Sequence, residues 1–316
     1  MEAYVHGVST RKVDDLVKAL GADTEISKSE VSRICAGPDA EVAEFRDRTL
    51  AGQDFPYVFL DATYCKVWVG HRIVSQALVV AVRVAADGRR EVLEFDVGDS
   101  ENEGFWTGFL RSLKTRGLDG VKLVISDVHT GLKKAISTVF QGASWQRCRV
   151  PFMRNVLAVL PKGSQEMVAS IIRTIFAQPD AEHSQKQFAG ITTMLARSHP
   201  KVAAMLTGAD LLSFSAFPRR HWHWHWHWRQ IWSTNPVERV ERVDKEITHR
   251  TDVVGVFPNP AALLRLSGSV LIERHDEWEA GERRYFSEAS MLELATMNNP
   301  IKVLNEAVML PELAAA

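Results

Sequence analysis

The spacing of apolar and polar residues predicts a sheet of five strands in the first half of the chain. Alternating or continuous apolar runs define the strands, and apolar residues at helical spacing define the segments between the later ones. In chain order, the predicted elements are strands at 57–67, 72–85 and 91–97, a helix at 103–115, a strand at 121–125, a helix at 131–140 and a strand at 144–147. The Asp87-Gly88 pair favours a hairpin between the second and third strands.

This order places antiparallel strands first and strand–helix–strand units afterwards, which is typical of a mixed α/β sheet of the RNase H-like type. Residues 152–207 contain only helical patterns, so we expect a helical insertion into the α/β domain. Further helices are predicted at 233–247 and 261–273, and a last helix followed by a loose tail begins at residue 291.

Two short helices are predicted before the sheet, at residues 9–20 and 26–34. A turn that contains Gly21 separates them, and a Ser-x-x-Glu capping box begins the second. This pattern is typical of a helix-turn-helix, although any helical hairpin produces it. In the DNA-binding interpretation, the residues that face the groove are Lys28, Ser29, Ser32 and Arg33.

These elements divide the chain into five parts. Residues 1–50 form a helix-turn-helix-like segment, and residues 51–150 form the first part of the α/β core. The helical insertion covers residues 151–228, and residues 229–290 supply the late helix that completes the core. Residues 291–316 form a C-terminal helix and tail.

Composition indicates the compartment. The 316 residues carry a net charge of −1, so any contact with nucleic acid must come from local basic patches. The three cysteines lie far apart and form no disulfide or metal-binding pattern, as is typical of a reducing compartment. The most apolar stretch, residues 73–86, is too short to cross a membrane and contains Gln76 and Arg83. We therefore expect a cytoplasmic protein without a membrane anchor.

Two aspartates lie on strands that are otherwise apolar. Asp61 interrupts the run at residues 57–67, and Asp127 follows the strand at 121–125. An ionised carboxylate is costly to bury unless a partner or a metal compensates. An aspartate that caps a turn would explain Asp61 alone. Two aspartates on core strands instead favour one shared cation, because ligands bind at the carboxyl ends of strands in such sheets.

The predicted helix at 233–247 combines acidic and basic residues. Asn235 and Pro236 lie at its start, and Glu238 and Glu241 follow on nearly the same face. The cations of this region are Arg239, Arg242, Lys245 and Arg250. A solvated helix with salt bridges on its surface would explain the same pattern without a function.

Residues 221–228 repeat the dipeptide His-Trp four times. On a strand, the four histidines would share one face and could bind Zn²⁺, Ni²⁺ or Cu²⁺. Tandem expansion of one dipeptide is the simpler explanation, because a metal site needs ligands that converge from several directions.

Five motifs, in this order, give the chain a resemblance to a known family. They are Leu60-Asp-Ala-Thr-Tyr64, Ile125-Ser-Asp127, Trp145-Gln-Arg-Cys-Arg-Val150 with Phe152-Met-Arg-Asn155, Thr234-Asn-Pro236, and the segment from Arg250 to Asn259. On these motifs the chain resembles a Mutator-type transposase of prokaryotic insertion sequences. The resemblance extends over nearly the whole chain.

The resemblance implies a DDE recombinase with an RNase H-like catalytic domain. Asp61, Asp127 and one glutamate would be the catalytic residues and would bind two Mg²⁺ ions, for which Mn²⁺ can substitute. The implied reaction is cleavage of double-stranded DNA at terminal inverted repeats, followed by strand transfer, by a homo-oligomer on DNA. The residues that would contact phosphates are Arg239, Arg242, Lys245 and Arg250. The family has a longer N-terminal DNA-binding part, so we expect this chain to be truncated at its start.

Three departures from the family pattern bear on activity. The family has one His-Trp pair where this chain has four, and Pro151 takes the place of a family histidine. The Val-Glu-Arg unit after Asn235-Pro236 occurs twice, so either Glu238 or Glu241 could be the third carboxylate. We favour Glu241, because both duplications lie upstream of it. The alternative function is a truncated or decayed copy that folds and binds DNA without catalysis.

Overall fold

A mixed sheet of five strands forms the core of the protein in a computed structural model, which describes residues 28–99, 102–127, 129–222, 231–234, 255–281 and 284–297. The strands are β1 (Tyr57–Val69), β2 (Arg72–Val84), β3 (Arg90–Gly98), β4 (Leu123–Ser126) and β5 (Ser144–Arg147). Their order across the sheet is β3-β2-β1-β4-β5. The β1–β2 and β2–β3 pairs are antiparallel, and the β1–β4 and β4–β5 pairs are parallel. The predicted strands and the mixed α/β class are confirmed.

Helices cover both faces of this sheet. They are α1 (Lys28–Asp47), α2 (Glu103–Thr115), α3 (Thr130–Val139), α4 (Arg149–Ala158), α5 (Lys162–Arg173), α6 (Ala181–Ser198), α7 (Pro200–Thr207), α8 (Pro260–Ala280) and α9 (Glu288–Thr296). The predicted helical stretch after β5 is confirmed as α4 to α7. None of the described helices is long and apolar enough to cross a membrane.

Alternation along β1 explains why the core has two layers. Val58 and Leu60 pack with the apolar faces of α2 and α3 on one side of the sheet. Tyr57 and Phe59 point to the other side, where they join a larger cluster with residues of α1 and α4 to α9. Because side chains alternate between the faces of a strand, β1 is buried on both sides and lies at the centre of the sheet.

The second N-terminal helix is longer than predicted. Instead of ending at residue 34, α1 continues through Pro38 to Asp47, and Val42 and Phe45 in its second half are buried in the core. Burial of this apolar pair explains why the helix persists beyond its polar start. Residues 9–20 lie outside the described part of the chain, so the helix-turn-helix stays a prediction. Arg33 is exposed, and the side chains of Lys28, Ser29 and Ser32 are also outside the described part.

The predicted Asp87-Gly88 hairpin joins β2 to β3. The Gly88 N–H donates to the Ala85 carbonyl at 2.9 Å, and the Gly88 carbonyl accepts the N–H groups of Tyr285 and Phe286. Gly88 has a φ of +84°, and a Cβ there would lie 2.1 Å from the Phe286 carbonyl oxygen. Only glycine therefore fits the turn while the segment before α9 packs against it.

A buried ion pair network joins α1, β3 and the end of α2. The Glu94 side chain on β3 accepts from Arg46 of α1 at 3.0 Å and from Arg116, the C-cap residue of α2. Arg116 also donates to the Arg46 carbonyl. Burial raises the pKa of Glu94, and the charges of Arg116 and Arg46 oppose that rise. These contacts replace the hydration that the buried carboxylate loses.

Candidate active site

Strands β1 and β4 bring Asp61 and Asp127 together at one edge of the sheet. Leu60 pairs with Ser126 in their parallel register, so the next residues on the two chains are Asp61 and Asp127. Neighbouring strands lie about 4.8 Å apart. Both aspartates line one pocket of about 110 Å³. The other residues that line it are Leu60, Ala62, Tyr64, Trp106, Ser126, His129 and Leu132.

Asp61 lies inside a strand, not in a turn. It pairs with Val80 of β2 in the middle of β1, and its side chain accepts the Ala62 N–H at 2.9 Å. β4 ends at Ser126, whereas β1 continues to Val69. From Asp61 onwards, β1 therefore has no β4 neighbour. A turn-capping role is therefore excluded for Asp61, and its half-buried side chain lies at the opening where β4 stops.

The Thr-Asn-Pro motif begins beside these aspartates. Thr234 is buried, and its N–H donates to the Cys148 sulfur at 3.2 Å. The Cys148 N–H donates in turn to the Ser126 carbonyl at 2.7 Å, one residue before Asp127. Burial raises the pKa of the Cys148 thiol to about 11, so the thiol is neutral and contacts Thr234 as a weak hydrogen-bonding group. Thr234 therefore lies at the carboxyl end of β5, level with Asp127.

Phe257, which follows Thr234 in the chain, forms backbone hydrogen bonds with β1. The Phe257 N–H donates to the Lys66 carbonyl at 2.9 Å, and the Trp68 N–H donates to the Phe257 carbonyl at 2.9 Å. Residues 235–254, which lie outside the described part of the chain, thus connect the end of β5 to the extension of β1. The sheet edge that carries Asp61 and Asp127 lies between these two attachment points.

The remaining predicted site residues belong to this connection. They are Glu238, Glu241, Arg239, Arg242, Lys245 and Arg250. Their positions stay a prediction, whereas the attachment points of the segment on both sides are described.

The structure places a cation, Arg147, near the two aspartates, and the sequence analysis did not identify it. Arg147 is the last residue of β5 and pairs with Ser126. Burial lowers the pKa of Arg147, and the charge of Asp127 opposes this shift. A charged residue at the carboxyl end of a short, otherwise buried strand is the signal that could have identified it. His129, Tyr64 and Trp106 lacked such a signal, because α2, α3 and β1 bring them together only in the fold.

The first unit of the His-Trp repeat is part of the core. His221 lies in a 3₁₀ turn and is buried, with Nδ1 2.6 Å from the Tyr57 hydroxyl and its ring stacked on Phe286. The Ile231 N–H donates to the His221 carbonyl at 3.2 Å. The described residues on either side of 223–230, Trp222 and Ile231, are therefore close together in the core. Residues 223–228, which contain the other three His-Trp units, lie outside the described part, so the choice between tandem expansion and a metal site stays a prediction.

Because His221 is buried, we expect the free energy of unfolding to decrease as the pH falls. Burial lowers the pKa of His221 to about 3, from an ordinary value of about 6.5 in the unfolded chain. Between these values the unfolded state binds the extra proton, so the free energy of unfolding decreases as pH falls, by up to about 1.4 kcal/mol per pH unit. Urea unfolding at pH 4.5 to 7.5 measures this slope. His221→Gln is expected to make the free energy of unfolding less dependent on pH. Equal slopes for the wild type and this variant would contradict the assignment of the effect to His221.

This combination defines a mixed α/β protein with two aspartates side by side at the point where β4 ends against β1. Residues 1–281 match the family model described as Transposase, Mutator family. The chain therefore belongs to the Mutator family of transposases, as the motifs predicted.

Three relatives show the extent of the similarity. The chain is 43% identical over 282 residues to the transposase for insertion sequence element IS1081 of Mycobacterium tuberculosis, covering 89% of this chain and 66% of the relative. It is 38% identical to the transposase for IS406 of Burkholderia multivorans, covering 89% and 71%. It is 34% identical to the transposase for IS256 in transposon Tn4001 of Staphylococcus aureus, covering 91% and 72%. The chain thus spans just under two thirds of the length of the IS1081 protein.

Proposed function

We propose that this protein is a DDE-type transposase that cleaves double-stranded DNA at the ends of its element and joins them to target DNA. The observation that carries the proposal is the adjacency of Asp61, in the middle of β1, and Asp127, at the carboxyl end of β4, in a chain of the Mutator family. The strand order, with three antiparallel strands followed by two parallel ones, supports an RNase H-like fold for the catalytic domain. Action in the cytoplasm as a homo-oligomer on DNA is part of this proposal.

The two aspartates fit a site for Mg²⁺. Carboxylate oxygens are the ligands that this hard cation prefers, and it commonly uses one or two carboxylates with water and phosphate oxygens. Asp61 is half-buried and Asp127 is exposed, so a hydrated ion and a phosphate can reach both. The ligands would be Asp61, Asp127 and Glu241 or Glu238. A pair of bound ions would activate the attacking oxygen and stabilise the leaving oxygen of phosphoryl transfer.

The attachment of Thr234 supports a third carboxylate at the same edge. A helix that starts at Asn235 would place Glu238 about 6 Å and Glu241 about 10 Å along its axis from Thr234. The end of β5, where Thr234 is bound, lies two strand spacings, or about 10 Å, from β1. If that helix runs across the sheet edge towards β1, it brings Glu241 nearer than Glu238 to the far aspartate, Asp61, and this supports our preference for Glu241.

The side chains of the site divide the work of the proposed reaction between them. The carboxylates would hold the metal ions that bind the reacting phosphate; in the proposed cleavage a water oxygen attacks the phosphorus while the bond to the 3′ oxygen breaks, and the leaving 3′ oxygen takes up a proton. The released 3′ hydroxyl then attacks a target phosphate, forming a new phosphodiester and releasing a target 3′ hydroxyl. No protein side chain becomes linked to DNA. Arg147 and the cations of residues 239–250 would neutralise phosphate charge nearby.

A cleavage assay on the element ends tests the proposal. Duplex DNA carrying the terminal inverted repeats that flank the gene is incubated with the full chain and Mg²⁺ or Mn²⁺, or with EDTA. We expect nicked strands that end in a 3′ hydroxyl with either metal and none with EDTA. DNA binding without cleavage in both metals would instead identify a decayed copy.

A further inference from the structure

The hairpin of β1 and β2 extends beyond β4 as a two-stranded ribbon, residues 64–76. Gly70 and His71 form its turn with φ values of 54° and 66°, the geometry of a type I′ hairpin. One face of the ribbon is covered, because Cys65 and Val67 pack with Phe257 and residues of α8. Side chains alternate along a strand, so Tyr64, Lys66 and Trp68 belong to the opposite face.

Aromatic and apolar side chains are exposed on that opposite face. Tyr64 and Trp68 on β1 are 56% and 46% exposed, and Ile73, opposite Trp68 on β2, is 49% exposed. Lys66 lies between the two aromatic residues and is also exposed. Among the described residues, two large apolar side chains that are exposed are aromatic, Tyr64 and Trp68, and both lie on this ribbon. Exposed apolar side chains that cluster in this way mark an interaction surface.

The charge of the ribbon favours an anionic partner. No aspartate or glutamate occurs between Asp61 and Asp87, although acidic residues make up 39 of the 316 residues in the chain. Lys66 and Arg72 supply positive charge on the ribbon itself. A basic surface with interleaved aromatic rings is typical of proteins that bind single-stranded nucleic acid.

The spacing distinguishes a single strand from a duplex. Alternate residues of a strand lie about 7 Å apart, so Tyr64, Lys66 and Trp68 repeat at this interval. Stacked bases in one strand of B-DNA repeat at about 3.4 Å. The two rings are thus about 14 Å apart, well beyond the spacing of stacked bases, so the ribbon matches an extended strand whose bases are separated, with Lys66 reaching a phosphate between them.

The ribbon continues directly into the candidate active site. Tyr64 lines the same pocket as Asp61 and Asp127. We propose that the face formed by Tyr64, Lys66 and Trp68 binds single-stranded DNA and leads it from the pocket. Its role in guiding an unpaired DNA end to cleavage rests on the function proposed above, whereas its binding of single strands does not.

Binding of an oligonucleotide tests the inference without cleavage. Fluorescence anisotropy with the full chain in EDTA compares a 20-nucleotide oligodeoxythymidine with a 20-base-pair duplex. We expect Trp68→Ala to weaken single-strand binding at least about fivefold, since one base stack accounts for that much. Trp68→Phe is expected to retain most of the single-strand binding of the wild type. Lys66→Gln is expected to reduce the slope of log K against the logarithm of the salt concentration by about 0.7. Leu292→Ala, an exposed apolar control on α9, is expected to bind like the wild type.

Photo-cross-linking locates the contact directly. An oligonucleotide with 5-iodouracil is irradiated on the wild-type protein, which is then cut with trypsin after Lys66 and Arg72. We expect the label on the peptide of residues 67–72, which contains Trp68. Unchanged binding by Trp68→Ala with no label on this peptide would overturn the inference, and so would an equal loss of duplex binding.

The two proposals fail in different ways. If the wild type cleaves element ends while the ribbon variants bind single strands normally, only the ribbon assignment is wrong. If the wild type does not cleave but Trp68→Ala loses single-strand binding, the ribbon assignment stands and the proposed transposase activity is wrong.

Discussion

Replacing Asp61 or Asp127 by asparagine is expected to reduce cleavage of the element ends by at least about 10³-fold. Each change removes a negative charge from the edge where β1 and β4 meet, and charge stabilisation at such a site contributes several kcal/mol, or about three factors of ten in rate. Binding of Mg²⁺ or Mn²⁺, followed by calorimetry, is expected to weaken in parallel. Binding of duplex DNA is expected to remain, because phosphate contacts come from other residues.

A matched substitution separates this effect from a general loss of charge. Asp276 is an exposed aspartate on α8, so Asp276→Asn is expected to cleave DNA like the wild type. Unfolding curves for all three variants check that they fold. Cleavage by Asp61→Asn at the wild-type rate would contradict the assignment.

The same assay distinguishes the two candidate glutamates. We expect Glu241→Gln to lose cleavage as strongly as Asp127→Asn, and Glu238→Gln to retain most of it. The reverse result would place the third carboxylate one helical turn earlier. If both glutamine variants cleave normally, neither Glu238 nor Glu241 is the third carboxylate.

Glu94→Gln is expected to lower the free energy of unfolding by about 3 kcal/mol, because it removes the buried counter-charge of Arg116 and leaves Arg46 with only its pair to the partly exposed Asp96. Glu94 is only 3% exposed, and its partners Arg46 and Arg116 belong to different helices. The change therefore weakens the attachment of both α1 and α2 to β3. Urea denaturation followed by circular dichroism gives the free energy.

Glu44 on the exposed face of α1 provides the control for this measurement. Glu44→Gln removes the same charge from an exposed position and is expected to change the free energy of unfolding by less than about 0.5 kcal/mol. Equal effects of the two changes would show that the buried ion pair contributes no more than a surface charge.

The elements of the sheet could be predicted because their signals are local. Strands β1 to β5 and helices α2 and α3 follow from apolar spacing and turn residues, and the structure places each within two residues of its predicted bounds. The extent of α1 could not be predicted in this way. Its second half is held by burial of Val42 and Phe45 against residues that are distant in sequence.

The same distinction between local and long-range signals applies to the residues of the candidate site. Asp61 and Asp127 could be paired from the sequence, because Asp61 interrupts one apolar strand and Asp127 directly follows another. Arg147, Tyr64 and His129 could not, because they reach that edge through three separate elements.

The amino-acid pattern alone was sufficient for the strands, the mixed α/β class, the family and the two aspartates, since each depends on residues close together in the chain. Only the tertiary structure could show that Leu60 pairs with Ser126, that Thr234 is bound to Cys148, and that the first His-Trp unit is core. Only the fold could also leave one face of the β1–β2 ribbon exposed beside the site. These features depend on register and burial between residues far apart in sequence, and no local pattern encodes either.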